Sequence, residues 1–443
     1  MSRRTFRGGV HPPPRKDPTE HVPIVDMPPP ERVVVPFSQH IGAPSKPVVK
    51  RGDEVVAGQV IGEPQGFVSV PVHTPISGKI VAVQPMPHPL GAWVESAVIE
   101  GDSEERWVEG VGEQRDWTQL DVDTIKSLIE GAGIVGMGGA TFPTHVKLSP
   151  PTDQPIDMVI LNGAECEPYI TADHRLMLER AEEIFEGLKI ILKVLNSSRG
   201  YIAIEENKPD AIETMAALAQ AEPTIEVVPL HVKYPQGAEK QLIYALTRRT
   251  VPAGGLPMAV GCLVQNVATA AAVYRAVVWS TPLVERVLTV TGGGIVEPKN
   301  LRVRIGTPFR DVIAFCGGYA DDASKLVMGG PMMGLAQATD EVPVIKGTSC
   351  ILILGKQEAP MEVQPRACIS CGRCVEVCPM NLIPTMIARL VEHQRWEEAE
   401  AYGILNCFEC GSCSYGCPSK IHLTQLFKYG KSVIMAQKKA KAA

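Results

Sequence analysis

The sequence predicts a multidomain α/β protein that ends in a cysteine-rich helical unit. Three observations predict it. Short Val/Ile runs broken by Gly and Pro fill residues 41–103, the pattern of a small all-β unit with tight turns. Strand and helix patterns alternate across residues 104–280, which implies a largely parallel sheet covered by helices. Eight of the twelve cysteines crowd into residues 368–417.

Taken in order, residues 1–40 are rich in proline and basic residues, with Pro12-Pro13-Pro14 and Pro28-Pro29-Pro30. They are expected to form an extended arm on the surface of a domain. In residues 41–103, runs such as Val60-Ile61 and Ile80-Val81 alternate with Gly52-Asp53, Gly62 and Ser77-Gly78. This unit resembles a lipoyl/biotinyl-type barrel-sandwich domain. Such domains carry a modified lysine in a hairpin ahead of a Pro-x-Ser-Gly segment, here Pro75-Ile76-Ser77-Gly78. No lysine lies between Lys50 and Lys79, so swinging-arm chemistry is not expected.

Within residues 104–280, helices are expected from Asp121 to Glu130, with Asp121 or Asp123 as cap, from Ala181 to Leu195 and from Asp210 to Ala221. Met158-Val159-Ile160-Leu161 and Tyr201-Ile202-Ala203-Ile204 read as buried strands. A sheet of this kind binds ligands in the loops at its strand ends. Residues 281–357 turn β-rich, with Val287–Thr291, a Gly292-Gly293-Gly294 turn, Leu301–Ile305 and one helix from Pro308 to Cys316. They predict a small β-grasp-like α+β domain. Residues 358–443 form the cysteine-rich unit.

Hydrophobic residues make up 45% of the chain and charged residues 21%, and the net charge is −6 with no long acidic or basic block. That balance suits a folded globular protein and gives no footing for nucleic-acid binding. No stretch reaches the ~18–20 apolar residues of a spanning helix. The best candidate, Leu263–Val278, contains Gln265, Asn266 and Arg275. No apolar core follows Met1-Ser2-Arg3-Arg4-Thr5-Phe6, so no signal peptide is expected. The reading is of a soluble, cytoplasmic protein that meets a membrane only through partners.

The cysteines carry the most specific signal. Cys368-x-x-Cys371-x-x-Cys374-x-x-x-Cys378-Pro379 is repeated as Cys407-x-x-Cys410-x-x-Cys413-x-x-x-Cys417-Pro418. Both match the bacterial two-cluster ferredoxin pattern. A tight loop offers three thiolates to three irons of one cubane, and the fourth cysteine ligates the other cluster. One [4Fe–4S] cluster is therefore assigned to Cys368, Cys371, Cys374 and Cys417. The other is assigned to Cys407, Cys410, Cys413 and Cys378. Structural zinc is the plainer alternative. Zinc ribbons pair two Cys-x-x-Cys knuckles and need neither a third cysteine at that interval nor a fourth before proline. Cys166, Cys262, Cys316 and Cys350 read as packing residues, and His145 and His174 as surface or hydrogen-bonding residues.

Gly131-Ala132-Gly133-Ile134-Val135-Gly136 fits Gly-x-Gly-x-x-Gly, yet it follows a helix where a dinucleotide fingerprint must follow a strand. Gly430-Lys431-Ser432 lacks the upstream glycine of a P-loop, since position 425 is Gln. The glycine loop instead resembles another family. Gly136-x-Gly138-Gly139-Ala140-x-Phe142-Pro143-Thr144-x-x-Lys147 is similar to the FMN loop in the NADH-oxidising subunit of respiratory complex I. Asn162-Gly163-Ala164-Glu165-Cys166-Glu167-Pro168, Tyr234-x-x-Gly237-Ala238-Glu239 and Gln265-Asn266-Val267-Ala268-Thr269 resemble later blocks of that subunit, in the same order.

A closer resemblance spans nearly the whole chain. Phe6-Arg7-Gly8-Gly9-Val10-His11-Pro12-Pro13, the barrel-sandwich unit, the flavin loop, Gly329-Gly330-Pro331-Met332-Met333-Gly334 and the double cluster motif occur in this order in the RnfC family of the Rnf electron transport complex. That complex couples electron transfer between ferredoxin and NAD to ion pumping. The resemblance implies a peripheral subunit on the cytoplasmic face of the inner membrane, with membrane-embedded and iron–sulfur subunits as partners. It implies FMN, NAD(H) and two [4Fe–4S] clusters as cofactors, and a soluble-ligand-binding type of β-grasp (SLBB-like) domain at 281–357. By position it gives Gly136, Gly138, Gly139, Lys147, Asn162, Glu165, Tyr234, Gly237, Asn266 and Thr269 as FMN residues. Glu167, Glu239 and Phe142 become the residues for the nicotinamide cofactor. No side chain is required as a catalytic acid or base. Val135, Met137, Ala164, Ala238 and Ala268 replace polar residues of the complex I pattern. Two rivals remain: a soluble flavin/iron–sulfur cobalamin reductase, and an electron carrier with no nucleotide site.

Overall fold

The computed structural model describes residues 4–359 and 364–442. The β-rich unit is built from two sheets. Strands Arg32–Pro36, Trp93–Gly101, Gly78–Pro87 and Glu54–Val55 form one, and Lys46–Pro47, Val60–Glu63 and Val72–His73 the other. Val33, Val35, Phe37, Ile61, Ile80 and Ile99 fill the space between them.

The segment expected as a surface arm departs from that expectation. Arg32–Pro36 pairs antiparallel with Trp93–Gly101, because Val33 and Val35 of its apolar run are driven into the sandwich core. Ile24–Asp26 pairs parallel with Lys299–Arg304 and so extends a different sheet. Further upstream, Val10 and Tyr234 exchange main-chain hydrogen bonds at 2.8 and 2.9 Å, and Gly9 donates to the carbonyl of Val377 at 2.8 Å. The arm is a strap that ties the units together, anchored by the buried side chains of Phe6, Val10, Lys16 and Thr19.

The central unit holds a parallel four-stranded sheet in the order Ile225–Leu230, Gly200–Glu205, Met158–Gly163, Cys262–Asn266. Helices Ala181–Leu195 and Val267–Trp279 cover one face. They approach so closely that a Cβ on Gly187 would meet the carbonyl oxygen of Ala270 at 1.9 Å. Helix Val122–Gly131 starts at Asp121, whose carboxylate accepts from the N–H of Thr124 at 2.9 Å. From Met158–Gly163 the chain adds strands on one side, and Cys262–Asn266 lies on the other. Those two strands flank the topological switch point, where open α/β sheets bind ligands.

The β-grasp unit is a six-stranded sheet made by Ile24–Asp26, Lys299–Arg304, Glu285–Thr291, Cys350–Gly355, Ala323–Met328 and Leu335–Ala336. Helix Phe309–Phe315 packs on it through Phe309, Val312 and Ile313. In the last unit, the two cysteine motifs are joined by two helices, Pro384–Glu392 and Trp396–Ala401. Gln394 between them takes φ +56°, a conformation that stops a right-handed helix. Among the described residues no helix is long and apolar enough to cross a membrane.

Candidate flavin and cluster sites

Two asparagines define the switch point. Asn162 and Asn266 stand opposite each other in the parallel register. Asn266 ends its strand and caps helix Val267–Trp279, accepting from the N–H of Ala268 at 2.8 Å. Its amide donates to Asp173 at 2.6 Å. Asn162 donates to the carbonyl of Gly237 at 2.8 Å.

The glycine loop lies against this pair. The N–H of Gly136 donates to the carbonyl of Phe142 at 2.8 Å, which closes the loop. The N–H of Met137 donates to the hydroxyl of Thr269 at 2.9 Å, which fixes the loop to the helix N-terminus. Gly138 takes φ +90°, and Gly139 has open space where a side chain would stand. Among the described residues, the N–H groups of Gly138, Gly139 and Ala140 find no protein acceptor. Free N–H groups on a glycine loop at a helix N-terminus suit an anion such as a phosphate. Lys147 bonds Glu239 at 2.9 Å and the carbonyl of Val264, placing a cation beside the same opening. These residues fit a flavin nucleotide.

Thus Gly136, Gly138, Gly139, Phe142, Lys147, Asn162, Gly237, Glu239, Asn266 and Thr269 are brought together at one sheet edge. Glu165, Glu167 and Tyr234 have other contacts. Glu165 caps helix Ala172–Glu179, accepting from the N–H groups of Asp173 and His174 at 2.6 and 3.2 Å. Burial raises its pKa, and Lys16 opposes that shift. Glu167 accepts from the N–H groups of Met332 and Met333 at 3.1 and 2.9 Å, which joins it to the β-grasp unit. Burial pushes its pKa up to about 7. The buried Tyr234 hydroxyl donates to the carbonyl of Cys410 at 2.7 Å.

Three residues of this region carry no sequence signal. Lys16 donates to the carbonyls of Glu165 and Glu167, each at 3.0 Å, and to that of Ile170. Lys208 donates to the carbonyl of Ala164 at 2.8 Å. The two lysines hold the loop that carries Glu165 and Glu167. Asp173, its pKa pushed up by burial, orients the amide of Asn266. None belongs to a periodic or spaced motif, so only the folded chain reveals them. Cys166 accepts from the N–H of Gly237 at 3.4 Å, and Cys262, Cys316 and Cys350 are buried. His145 and His174 are buried as well. His145 meets the carbonyl of Phe67 at 3.1 Å, and His174 meets Asp210 at 2.8 Å.

The two cysteine loops share one backbone form, displaced by 39 residues, as from Cys368 to Cys407. Ser370 and Glu409 take φ +56° and +63°, Gly372 and Gly411 +75° and +80°, and Asn381 and Lys420 +54° and +56°. Each loop runs into a short helix, Arg373–Glu376 or Ser412–Gly416. The N–H groups of Ser370 and Glu409 point at the sulfurs of Cys368 and Cys407 at 3.4 and 3.3 Å. One cavity is lined by Cys378, Cys407, Cys410 and Cys413 together with Phe408 and Phe427. Cys374 has Cys417 and Cys368 as electrostatic neighbours, and Cys407, Cys410 and Cys413 each have Cys378. Among the described residues no group of three or more ligating side chains is gathered for a single metal ion. A cubane asks for a wider set, because each thiolate meets its own iron. The thiols and the N–H groups aimed at them fit two such clusters.

Curated relatives match almost end to end. A Clostridium ljungdahlii protein, named as the C subunit of a proton-translocating ferredoxin:NAD(+) oxidoreductase complex, is 49% identical over 430 residues, covering 97% of this chain and 94% of the relative. The C subunit of the Na(+)-translocating complex of Acetobacterium woodii is 48% identical and covers 98% of both chains. This chain belongs to the RnfC family.

A Rhodobacter capsulatus member of the family is 42% identical over 99% of this chain and 84% of its own length. Four family models follow one another along the chain. They are the RnfC barrel-sandwich hybrid domain at residues 4–104, the Nuo51 FMN-binding domain at 129–275, the SLBB domain at 287–336 and the 4Fe-4S dicluster domain at 367–421. The expected fold class and order therefore hold. The matched domains bring FMN and [4Fe–4S] clusters as cofactors, those of an electron-transfer subunit. The cobalamin-reductase and plain-carrier readings find no support. A solved NAD+-reducing [NiFe]-hydrogenase chain in the H2-reduced state shares the fold, with 17% identity, a TM-score of 0.51 and coverage of 74% of this chain and 68% of that one.

Proposed function

We propose that this chain is the peripheral subunit of an ion-translocating ferredoxin:NAD oxidoreductase complex, carrying electrons between NAD(H), FMN and two [4Fe–4S] clusters. NAD(H) exchanges electrons in pairs as hydride, a cluster exchanges them singly, and a flavin does both. The observation that carries the reading is the hydrogen bond from Tyr234, on the loop before Gly237, to Cys410. It couples the flavin edge to a cluster loop inside one folded chain.

Gly136, Gly138, Gly139 and Thr269 would hold the FMN phosphate end, with Lys147 offsetting its charge. Asn162, Gly237 and Asn266 would face the ring and its ribityl chain. Glu239 and Phe142 stand at the opening, where a nicotinamide nucleotide would enter. Glu165, Glu167 and Tyr234 would act one step back, by fixing the loops that carry the others. Cys368, Cys371, Cys374 and Cys417 would hold one cluster, and Cys407, Cys410, Cys413 and Cys378 the second. We further propose the five-part division into residues 1–40, 41–103, 104–280, 281–357 and 358–443, with strands of the first part completing neighbouring sheets. Membrane attachment would come through the other subunits, on the cytoplasmic face.

The test is composition joined to activity. Purified anaerobically and supplied with FMN, the chain should retain flavin and the iron of both clusters, and NADH should reduce a one-electron viologen acceptor. Retention of zinc in place of iron, or no NADH-dependent reduction with both cofactors present, counts against the reading.

A further inference from the structure

The two cysteine loops differ in exposure. Around the second, Cys410 and Cys413 are buried, and Cys410 packs with Val10 and Tyr234 on the flavin side. Around the first, Cys368 and Cys371 are exposed, and Ile369 between them is 67% exposed. Arg366, Arg373 and Lys420 surround this open loop, all exposed. Among the described residues none of the three makes an ion pair. The N–H of Arg366 donates to the carbonyl of Ser419 at 2.8 Å, and the Ser419 hydroxyl donates to the carbonyl of Ala367 at 2.9 Å. That lacing sets Lys420 beside Arg366. Arg373 opens the short helix that follows Cys371, and Glu376 is the one acid on that helix. Tyr415 adds exposed aromatic surface.

A chain of net charge −6 thus gathers cations and apolar side chains at the open end of a redox centre. We propose that the cluster of Cys368, Cys371, Cys374 and Cys417 is the port of the chain, and that Arg366, Arg373 and Lys420 seat an acidic iron–sulfur protein over it. The proposal rests on the function proposed above. Apolar contact surface favours a protein over a small anion, and opposite charge steers the encounter and sets its orientation. One electron crosses in either direction. It leaves one cluster and reduces the other, no bond forms or breaks, and no proton moves.

The test uses the holoprotein, reduced with dithionite and freed of excess reductant, mixed with an oxidised acidic blue-copper protein as probe. Transfer should slow about tenfold from low to high salt. With basic cytochrome c as the probe, salt should speed transfer. The Arg366→Glu, Arg373→Glu, Lys420→Glu variant should lose most of the rate with the acidic probe. It should also lose most of its affinity for that probe by fluorescence anisotropy. A control variant, Lys46→Glu, Lys50→Glu, Arg51→Glu on the barrel-sandwich unit, should keep both. Equal losses in the two variants, or the same salt response with both probes, would overturn the proposal. The salt comparison needs no variant, so a misfolded variant leaves it decisive. Dithionite bypasses the nicotinamide and flavin, so a failure of NADH to reduce the clusters bears on the proposed function alone.

Discussion

A side-chain carbon placed on Gly138 would stand 2.8 Å from the amide nitrogen of Asn266. Gly138 also has φ +90°, which other residues adopt only under strain. The loop therefore touches the switch-point asparagine only because this position lacks a side chain. Gly138→Val should abolish flavin retention and leave cluster iron intact, as read by flavin absorbance and iron analysis of one preparation. Flavin retained at the parent level would detach this loop from the flavin.

Crossed ligation makes a pairing prediction. Cys417→Ser and Cys371→Ser should remove the same cluster signal in electron paramagnetic resonance. Cys378→Ser and Cys410→Ser should remove the other. If Cys378→Ser instead pairs with Cys371→Ser, each loop keeps its own fourth cysteine.

Tyr234→Phe removes the donor to the Cys410 carbonyl inside a buried junction. Leaving such an acceptor unpaired costs about 1–3 kcal/mol. Denaturant unfolding should show that loss, together with slower passage of electrons from flavin to clusters. An unchanged midpoint with unchanged electron passage would show that the contact couples nothing.

Glu167 links stability to pH. Burial raises its folded pKa from 4.5 to about 7. Between those values the folded state holds a proton that the unfolded state has lost, so stability falls as pH rises through this window. Thermal unfolding from pH 5.5 to 7.5 should show that fall, and Glu167→Gln should flatten it. A slope unchanged by Glu167→Gln would assign the dependence to other groups.

Much of this was legible in the sequence, for physical reasons. The apolar period of Ala181–Leu195 marked a helix, and the double cysteine spacing marked cubanes, because both signals are local. Alternating strands and helices implied the parallel sheet, and four ordered blocks implied the flavin edge. Long-range contacts left no such trace. Val33-Val34-Val35 was a readable strand hidden between proline-rich stretches. Lys16 looks like any basic residue of a proline-rich segment until the fold sets it under the carbonyls of Glu165 and Glu167. Glu167 and Tyr234 matched the cofactor blocks, but their side chains join three units. A motif gives a position and not the direction of its side chain.

Flavin and both clusters are held to form one connected electron path fed by NADH. Anaerobic titration of the holoprotein with NADH, following the flavin and cluster bands together, tests that path most directly. Both bands should bleach in one titration and recover together on reoxidation. Flavin that bleaches while the clusters stay oxidised at every NADH concentration, although dithionite reduces them, would contradict it.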